Sequence, residues 1–258
     1  MRGVPALAVL LVGCGRIAFD DTGGADAPLI GHDEDGDRVA DADDRCPHIA
    51  DDQTDTDLDG VGDACDREPG SPRQRLVYFN AMRPEDSALF ISGGGTWTQR
   101  ADGREFDGSD GGNGQLTHDI PIGDSDIWVG TSVTTRLAIS NAWQIALAIL
   151  QQTDSDPYYY TQFYEDMDSA YISVSYWDGS MYRQRGAVGI SNGLHTGDVE
   201  LTTVVRQGPR EIDVSGGWGA ETYSTTATAP AYTGGMKVTV VYEGVIAELR
   251  YIAIVSTQ

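Results

Sequence analysis

The chain has 258 residues, 40% of them hydrophobic and 22% charged, an ordinary globular composition, but its net charge of -23 is not ordinary. The length suits one sizeable domain with additions, or two small domains. So strong a polyanion repels nucleic-acid phosphates and anionic lipid surfaces and attracts cations, which excludes nucleic acid as a partner.

The first element in chain order is an export signal. Met1-Arg2-Gly3 supplies a positive start, and an apolar run from Val4 to Val12 follows, interrupted only by Pro5. The run is far shorter than the roughly 20 apolar residues that cross a hydrocarbon core, and it fits the apolar region of a secretory signal. It ends in Leu11-Val12-Gly13-Cys14, which resembles the lipobox of bacterial lipoproteins. That resemblance implies cleavage after residue 13, a lipid on Cys14 and an envelope location at the outer membrane or cell surface. Gly15, standing where an Asp would favour inner-membrane retention, leaves that location open. Residues 14–32, rich in Gly, Asp and Ala, read as a lipidated tether.

Residues 33–68 are a different material. Fifteen acidic side chains lie between Asp33 and Glu68, against Arg38, Arg45 and Arg67. A segment so acidic is either disordered or organised by metal. It contains an internal repeat: Asp33 to Asp44 and Asp55 to Asp66 both carry Asp at relative positions 1, 3, 5, 9 and 12, with valine (Val39, Val61) at position 7. Calcium takes 6–8 oxygens at about 2.3–2.6 Å, and alternate carboxylates on a tightly turning loop can point at one centre. Position 7 offers a backbone carbonyl and frees its side chain for packing. Position 6 favours glycine, as in Gly60; Arg38 departs from this in the first loop, with Gly36 as a partial compensation.

With Cys46-Pro47 and Gln53 between the loops, and Gly60, Gly62, Asp63, Cys65 and Asp66 in the second, the segment resembles thrombospondin type 3 repeats. The resemblance implies calcium as a structural ion, held at a first site or sites by Asp33, Asp35, Asp37, Val39, Asp41 and Asp44. Asp55, Asp57, Asp59, Val61, Asp63 and Asp66 would serve a second. It also implies a Cys46–Cys65 disulfide, which an oxidising compartment permits and a segment poor in apolar side chains needs. The two loops are expected to be unequal, with Arg38 weakening the first, and the whole segment to act as a stiffened spacer that holds the next domain away from the membrane.

After Pro69-Gly70-Ser71-Pro72 the texture changes to short runs rich in Val, Ile, Thr, Tyr and Trp between Gly, Asp, Ser and Asn. Strands are expected at 76–80, 88–92, 97–100, 127–137, 158–165, 171–177, 199–206, 211–214, 236–242 and 246–255. Residues 143–152 suit helix or strand, and their neighbours favour strand. Alternation puts Met236, Val238, Val240 and Tyr242 on one face, and Ile172, Val174 and Tyr176 opposite Tyr171, Ser173, Ser175 and Trp177. Residues 73–258 are therefore expected to form one all-β domain. Its layout, with two long strands meeting at Glu243-Gly244-Val245, resembles the concanavalin A/laminin G-like jelly-roll β-sandwich.

For chemistry, Glu211-Ile212-Asp213-Val214-Ser215 is similar to the opening of the Glu-x-Asp-x-Glu strand of laminarinase-type glucanases, but Ser215 stands where the second glutamate is required. A glycosidase needs two carboxylates about one bond, so no catalytic residue is assigned. His32, His48, His118 and His195 form no metal-spacing cluster. Five tryptophans and twelve tyrosines offer stacking platforms, Trp218 between glycines being the one expected to be most exposed. The expected function is recognition of a carbohydrate or protein ligand at the cell surface, with a glycan hydrolase or a purely structural envelope component as alternatives.

Overall fold

The computed structural model describes residues 31–84, 91–92, 96–101, 103–108, 113–120, 126–138, 143–149, 158–166, 168–191, 196–206, 208–218, 220–228 and 236–257. The signal, Cys14 and the tether up to residue 30 lie outside them.

Residues 74–257 form an all-β sandwich with no helix among the described residues. Its strands are β1 (Gln74–Asn80), β2 (Ile91–Ser92), β3 (Thr96–Gln99), β4 (Arg104–Asp107), β5 (Asn113–Ile120), β6 (Asp126–Ala138), β7 (Trp143–Ile149) and β8 (Tyr158–Glu165). They continue with β9 (Ala170–Trp177), β10 (Tyr182–Gly189), β11 (Gly197–Arg206), β12 (Glu211–Trp218), β13 (Glu221–Thr228), β14 (Met236–Glu243) and β15 (Val245–Thr257). One sheet runs β13-β12-β11-β6-β15-β4-β3, with β1 also on β15; the other runs β10-β9-β8-β7-β14-β5-β2. The 13 residues of β15 make room for two neighbours on one edge: β4 pairs with Ile246–Leu249 and β1 with Ile252–Thr257.

Alternation places the core. In β6, Ile127, Val129 and Val133 point inward with Thr131 and Thr135, while Trp128 faces out. In the other sheet Ile145, Phe163, Ile172, Val174, Val238, Val240 and Tyr242 face the same interior. A buried hydroxyl pair, Thr161 and Thr203 with oxygens 2.6 Å apart, crosses between the sheets. The segment that suited helix or strand is β7: it is bonded on both edges, to β8 and β14, a position no helix can occupy.

Four strands were not anticipated. β10 is a sheet edge exposed on both faces, so no apolar period marks it; β13, the edge of the other sheet, turns only Tyr223, Thr225 and Ala227 toward the interior, too few apolar residues to announce a strand. β4 has four residues, and β5 mixes Gly, Gln, Thr, His and Asp. The two late strands do not pair with each other: at Gly244 (φ +64°) the chain leaves one sheet with β14 and enters the other as β15.

The acidic segment has no regular secondary structure, and it does not stand free as a spacer. It lies on the outer face of the eight-stranded sheet. The His48 ring sits 5.3 Å from Trp128, 5.2 Å from Tyr251 and 6.5 Å from Phe79, centroid to centroid. Ala253 and Val255, which alternate outward from the core residues Ile252 and Ile254, are nevertheless buried. At its margins the backbone N–H of Gln74 donates to Asp59 (2.6 Å), and Arg250 lies 3.6 Å from Glu34. The expected spacer geometry is corrected by this apolar outer surface: exposed aromatics on a sheet are covered by the nearest chain that can reach them.

Candidate functional site

Among the described residues, two places gather side chains with chemistry to offer. The first is the pair of acidic loops, which superpose in their bonding as well as in their sequence. In the first loop the N–H groups of Gly36 and Arg38 donate to the Asp33 carboxylate (2.7 and 2.9 Å); in the second, Leu58 and Gly60 donate to Asp55 (2.7 and 3.1 Å). Asp35 and Asp57 each accept the N–H two residues on, from Asp37 (3.1 Å) and Asp59 (3.2 Å). Asp37 and Asp59 repeat the pattern with Val39 (2.8 Å) and Val61 (2.9 Å). These bonds occupy both oxygens of Asp33 and Asp55 but only one each of Asp35 and Asp57, whose second oxygen stays buried, and they curl each loop about its carboxylates. As a result Asp33, Asp35 and Asp37 bring oxygens within 4.8 Å of one another, and so do Asp55, Asp57 and Asp59.

Arg38 does not shift the first turn. Both loops take left-handed backbone at positions 4 and 6: Gly36 (φ +83°) and Arg38 (φ +81°) in one, Leu58 (φ +67°) and Gly60 (φ +95°) in the other. Of these two positions each loop gives one to glycine, position 4 in the first and position 6 in the second, and bears at the other a non-glycine residue in a conformation costing about 1–2 kcal/mol. The expected inequality through Arg38 is therefore corrected to a near-equivalence.

The remaining predicted residues are placed differently. Asp41 accepts from the Glu34 N–H (2.9 Å) and bonds His32 (2.8 Å); Asp63 accepts from the N–H and hydroxyl of Thr56 (2.8 and 2.6 Å). Neither joins the convergent triplets. Asp44 and Asp66 are buried, 8% and 9% exposed, each accepting an N–H two residues on, from Cys46 and Glu68. Val61 is fully buried, and Val39 half-buried.

The donor set fits a hard cation. Asp35, Asp57 and Asp66 each hold a buried carboxylate oxygen with no hydrogen-bond partner. Burial pushes the Asp35 carboxyl up to about 6, and its acidic neighbours add to the shift. Asp44 and Asp66 are displaced the same way by the same causes. Carboxylates collected against their own repulsion and stripped of water favour a divalent ion or a proton. Asp51, unassigned from sequence, belongs with them: it too holds a buried unpartnered oxygen, and it accepts from the Gln53 N–H (2.6 Å). Gln53 ties the repeat together, donating to Asp37 (3.0 Å) and Asp44 (2.8 Å).

Cys46 and Cys65 are bonded, closing a separation of 19 residues with Cα atoms 5.7 Å apart. A Cβ on Gly62 would meet the Cys46 sulfur at 2.7 Å, so that position excludes every other residue while the bridge is in place.

The second place is a groove of about 550 Å³ on the outward face of the seven-stranded sheet. β8 and β9 supply its aromatic centre because every second residue on them is polar or aromatic: Tyr158, Tyr160, Gln162 and Tyr164 on one, Tyr171 and Ser175 on the other. Tyr182 and Gln184 of β10, Thr239, Val241 and Glu243 of β14, and Asn113 and Gln115 of β5 complete the lining. Glu243 is the single carboxylate among the described lining residues, where hydrolysis would need a pair. The sequence signal for this groove was present in the Tyr-x-Tyr-x-Gln-x-Tyr alternation, but it reads equally as a core face until a partner sheet decides which side is inward.

Trp218 is not the exposed aromatic. It is 9% exposed and packs on Phe163 at 4.8 Å, and Gly216, where a Cβ would meet the Phe163 ring at 2.8 Å, leaves that ring its place. Trp97 packs on Phe106 and Tyr242, and Trp128 on His48, leaving Trp177, beside Tyr182 at 4.8 Å, as the tryptophan next to the groove. The side chain of Trp143 lies outside the described residues. Glu211 and Asp213 alternate with the core residues Ile212 and Val214 on the other sheet, remote from the groove, and Asp213 is held by Arg206 and Thr226. The likeness to a glucanase strand ends there.

No family model matches the sequence, and no curated protein matches it. Solved structures do match. The CBM2 module of the evolved Dit of Lactobacillus casei BL23 phage J-1 has a TM-score of 0.59 at 9% identity, covering 72% of this chain and 97% of that one. Lectin II from Ulex europaeus has a TM-score of 0.54 at 10% identity (70% and 98% covered). Basic winged bean lectin with Tn-antigen has 0.56 at 7% identity (72% and 99% covered). Sequence identities this low carry the fold alone, and that fold is the jelly roll of the concanavalin A-like and legume lectins.

Proposed function

We propose that this is an envelope-anchored, calcium-binding protein whose seven-stranded sheet recognises carbohydrate. The observation that carries the reading is the groove: tyrosine rings standing beside amide and hydroxyl groups match a ligand with apolar ring faces edged by hydroxyls. Its support from kinship is the fold, shared with lectins and a CBM2 module. The test is binding to immobilised glycans. Tyr182 is 57% exposed, so Tyr182→Ala leaves the fold intact. Binding reduced at least fivefold by that change supports the reading, and wild-type protein that retains no glycan overturns it.

The acidic loops are assigned to calcium. Asp33, Asp35 and Asp37 would hold it in one loop and Asp55, Asp57 and Asp59 in the other, with Asp44, Asp51 and Asp66 completing the buried charge. Calcium, when bound, supplies the positive charge that these carboxylates lack. The thrombospondin type 3-like spacing and the orphaned oxygens support this assignment independently. Calorimetric titration with calcium should show saturable binding that Asp57→Asn weakens; no heat at millimolar calcium would remove it. The anchor rests on the lipobox-like Leu11-Val12-Gly13-Cys14, and Cys14→Ser should release the protein from the membrane fraction.

A further inference from the structure

The groove is not uniform along the strands. At one end Tyr158 meets Tyr182, hydroxyl to hydroxyl at 2.6 Å, and the Trp177 ring lies 4.8 Å from that of Tyr182. At the other end Tyr164 and Tyr171 face each other across β8 and β9, rings 5.1 Å apart. Between the two lies a polar floor: Tyr160 (8% exposed) opposite Ser175, and Gln162 (7%) opposite Ser173, with the Gln162 amide donating to the Ser173 hydroxyl at 3.3 Å. Tyr158 and Tyr164 are six residues apart on one strand, and at about 3.3 Å per residue their backbones are separated by about 20 Å.

We propose that the groove takes an extended, uncharged oligosaccharide lying along β8 and β9, stacked at both ends. The inference rests on the carbohydrate reading of this groove and specifies its ligand. The length follows from the platforms. A single sugar ring can cover only one of them, and the floor between sets the polar side chains of Gln162, Ser175 and Thr239 beside the apolar pair Tyr160 and Val241, which suits the hydroxyls and ring faces of the middle of a chain. The lack of charge follows from the lining. Among its described residues the one ionisable group besides tyrosine is Glu243, beside Asn113, and the chain as a whole carries -23. Burial pushes the hydroxyls of Tyr164 and Tyr171 further from ionisation, with nearby Asp166 adding to it, so both stay neutral donors. A uronate or sulfate chain would meet no described cation and an unfavourable overall field.

The test is length dependence in the full chain. Linear gluco-, galacto-, manno- and xylo-oligosaccharides are titrated as disaccharides and as hexasaccharides, with polygalacturonate as the anionic comparison. For a sugar that binds, the hexasaccharide should bind at least tenfold more tightly than the disaccharide. Tyr164→Ala should lower hexasaccharide affinity at least fivefold and leave disaccharide affinity at the Trp177 end unchanged; Trp177→Ala should weaken both. Unfolding temperatures of the variants exclude loss of fold as the cause. Equal affinity for short and long chains, or hexasaccharide binding indifferent to Tyr164→Ala, overturns the extended ligand while leaving a groove that binds sugar. Tighter binding of polygalacturonate than of any neutral hexasaccharide overturns the uncharged class. No binding of any chain, or binding that ignores both substitutions, overturns the carbohydrate reading itself.

Discussion

The acidic segment and the sandwich are built on opposite principles, although they touch. The sandwich buries an interior of Val, Ile, Leu and aromatic side chains, and its polar groups are consumed by strand pairing. Its stability is non-directional and tolerant of detail, since the driving force scales with apolar area. The segment has almost no interior. Its order comes from carboxylates bonding backbone N–H groups at fixed offsets, from Gln53 between the loops bonding Asp37 and Asp44 of the first, and from one disulfide. Such order is directional, and it gathers like charges whose repulsion favours uptake of a proton or a cation. The joint between the two is His48, an imidazole set among three aromatic rings. A region without its own core thus gains stability by covering apolar surface on a region that has one.

Each side of that contrast can be broken separately. The largest effect is expected from Phe163→Ala, which empties the centre of the sandwich beneath Trp218. It should cost about 3–5 kcal/mol in denaturant unfolding; a loss below about 1 kcal/mol would mean that the interior is not the main support. Next is acid. Burial lowers the His48 imidazole from 6.5 to about 4, so the folded protein keeps it neutral. Its rings Phe79, Trp128 and Tyr251 offer no counter-charge. Docking stability from this group is complete above pH 6.5 and is lost as pH falls from there through about 4, amounting to about 3 kcal/mol. His48→Phe should flatten the stability profile between pH 6.5 and 5 relative to the parent, read by Trp128 fluorescence. Identical profiles would place the segment elsewhere.

Replacing both Cys46 and Cys65 by alanine should destabilise the segment by about 3 kcal/mol, the chain-entropy value for a loop of this size. The sandwich transition should move little, and a collapse of both together would show that the two regions unfold as one. The smallest effect separates the two loops. Leu58 is 81% exposed and left-handed, at the position where the first loop has Gly36. Leu58→Gly should stabilise the second loop by less than about 1 kcal/mol, seen as a small rise in the melting temperature of the segment.

Much of this was legible in the sequence because it was local. The spacing of carboxylates in Asp33–Asp44 and Asp55–Asp66 fixes which N–H each can reach, so the loops could be read by offset. Strands with a buried face announced themselves by alternation, as in Ile172 and Val174 against Ser173 and Ser175. Edge strands such as Tyr182–Gly189 did not, since they are solvated on both sides and bear no period. Sequence by itself thus determined the acidic loops, the pairing of Cys46 with Cys65 and the all-β class. Tertiary structure alone decided which face of β8 is a groove and which is core. It also decided that Trp218 is buried, and that the acidic segment lies against Trp128 and Tyr251 instead of standing apart. The reason is range: a loop's bonds are set by neighbours a few residues away, whereas inside and outside are set by a second sheet that a strand meets only after folding. The calcium-binding assignment belongs to the first class and the carbohydrate-binding assignment to the second.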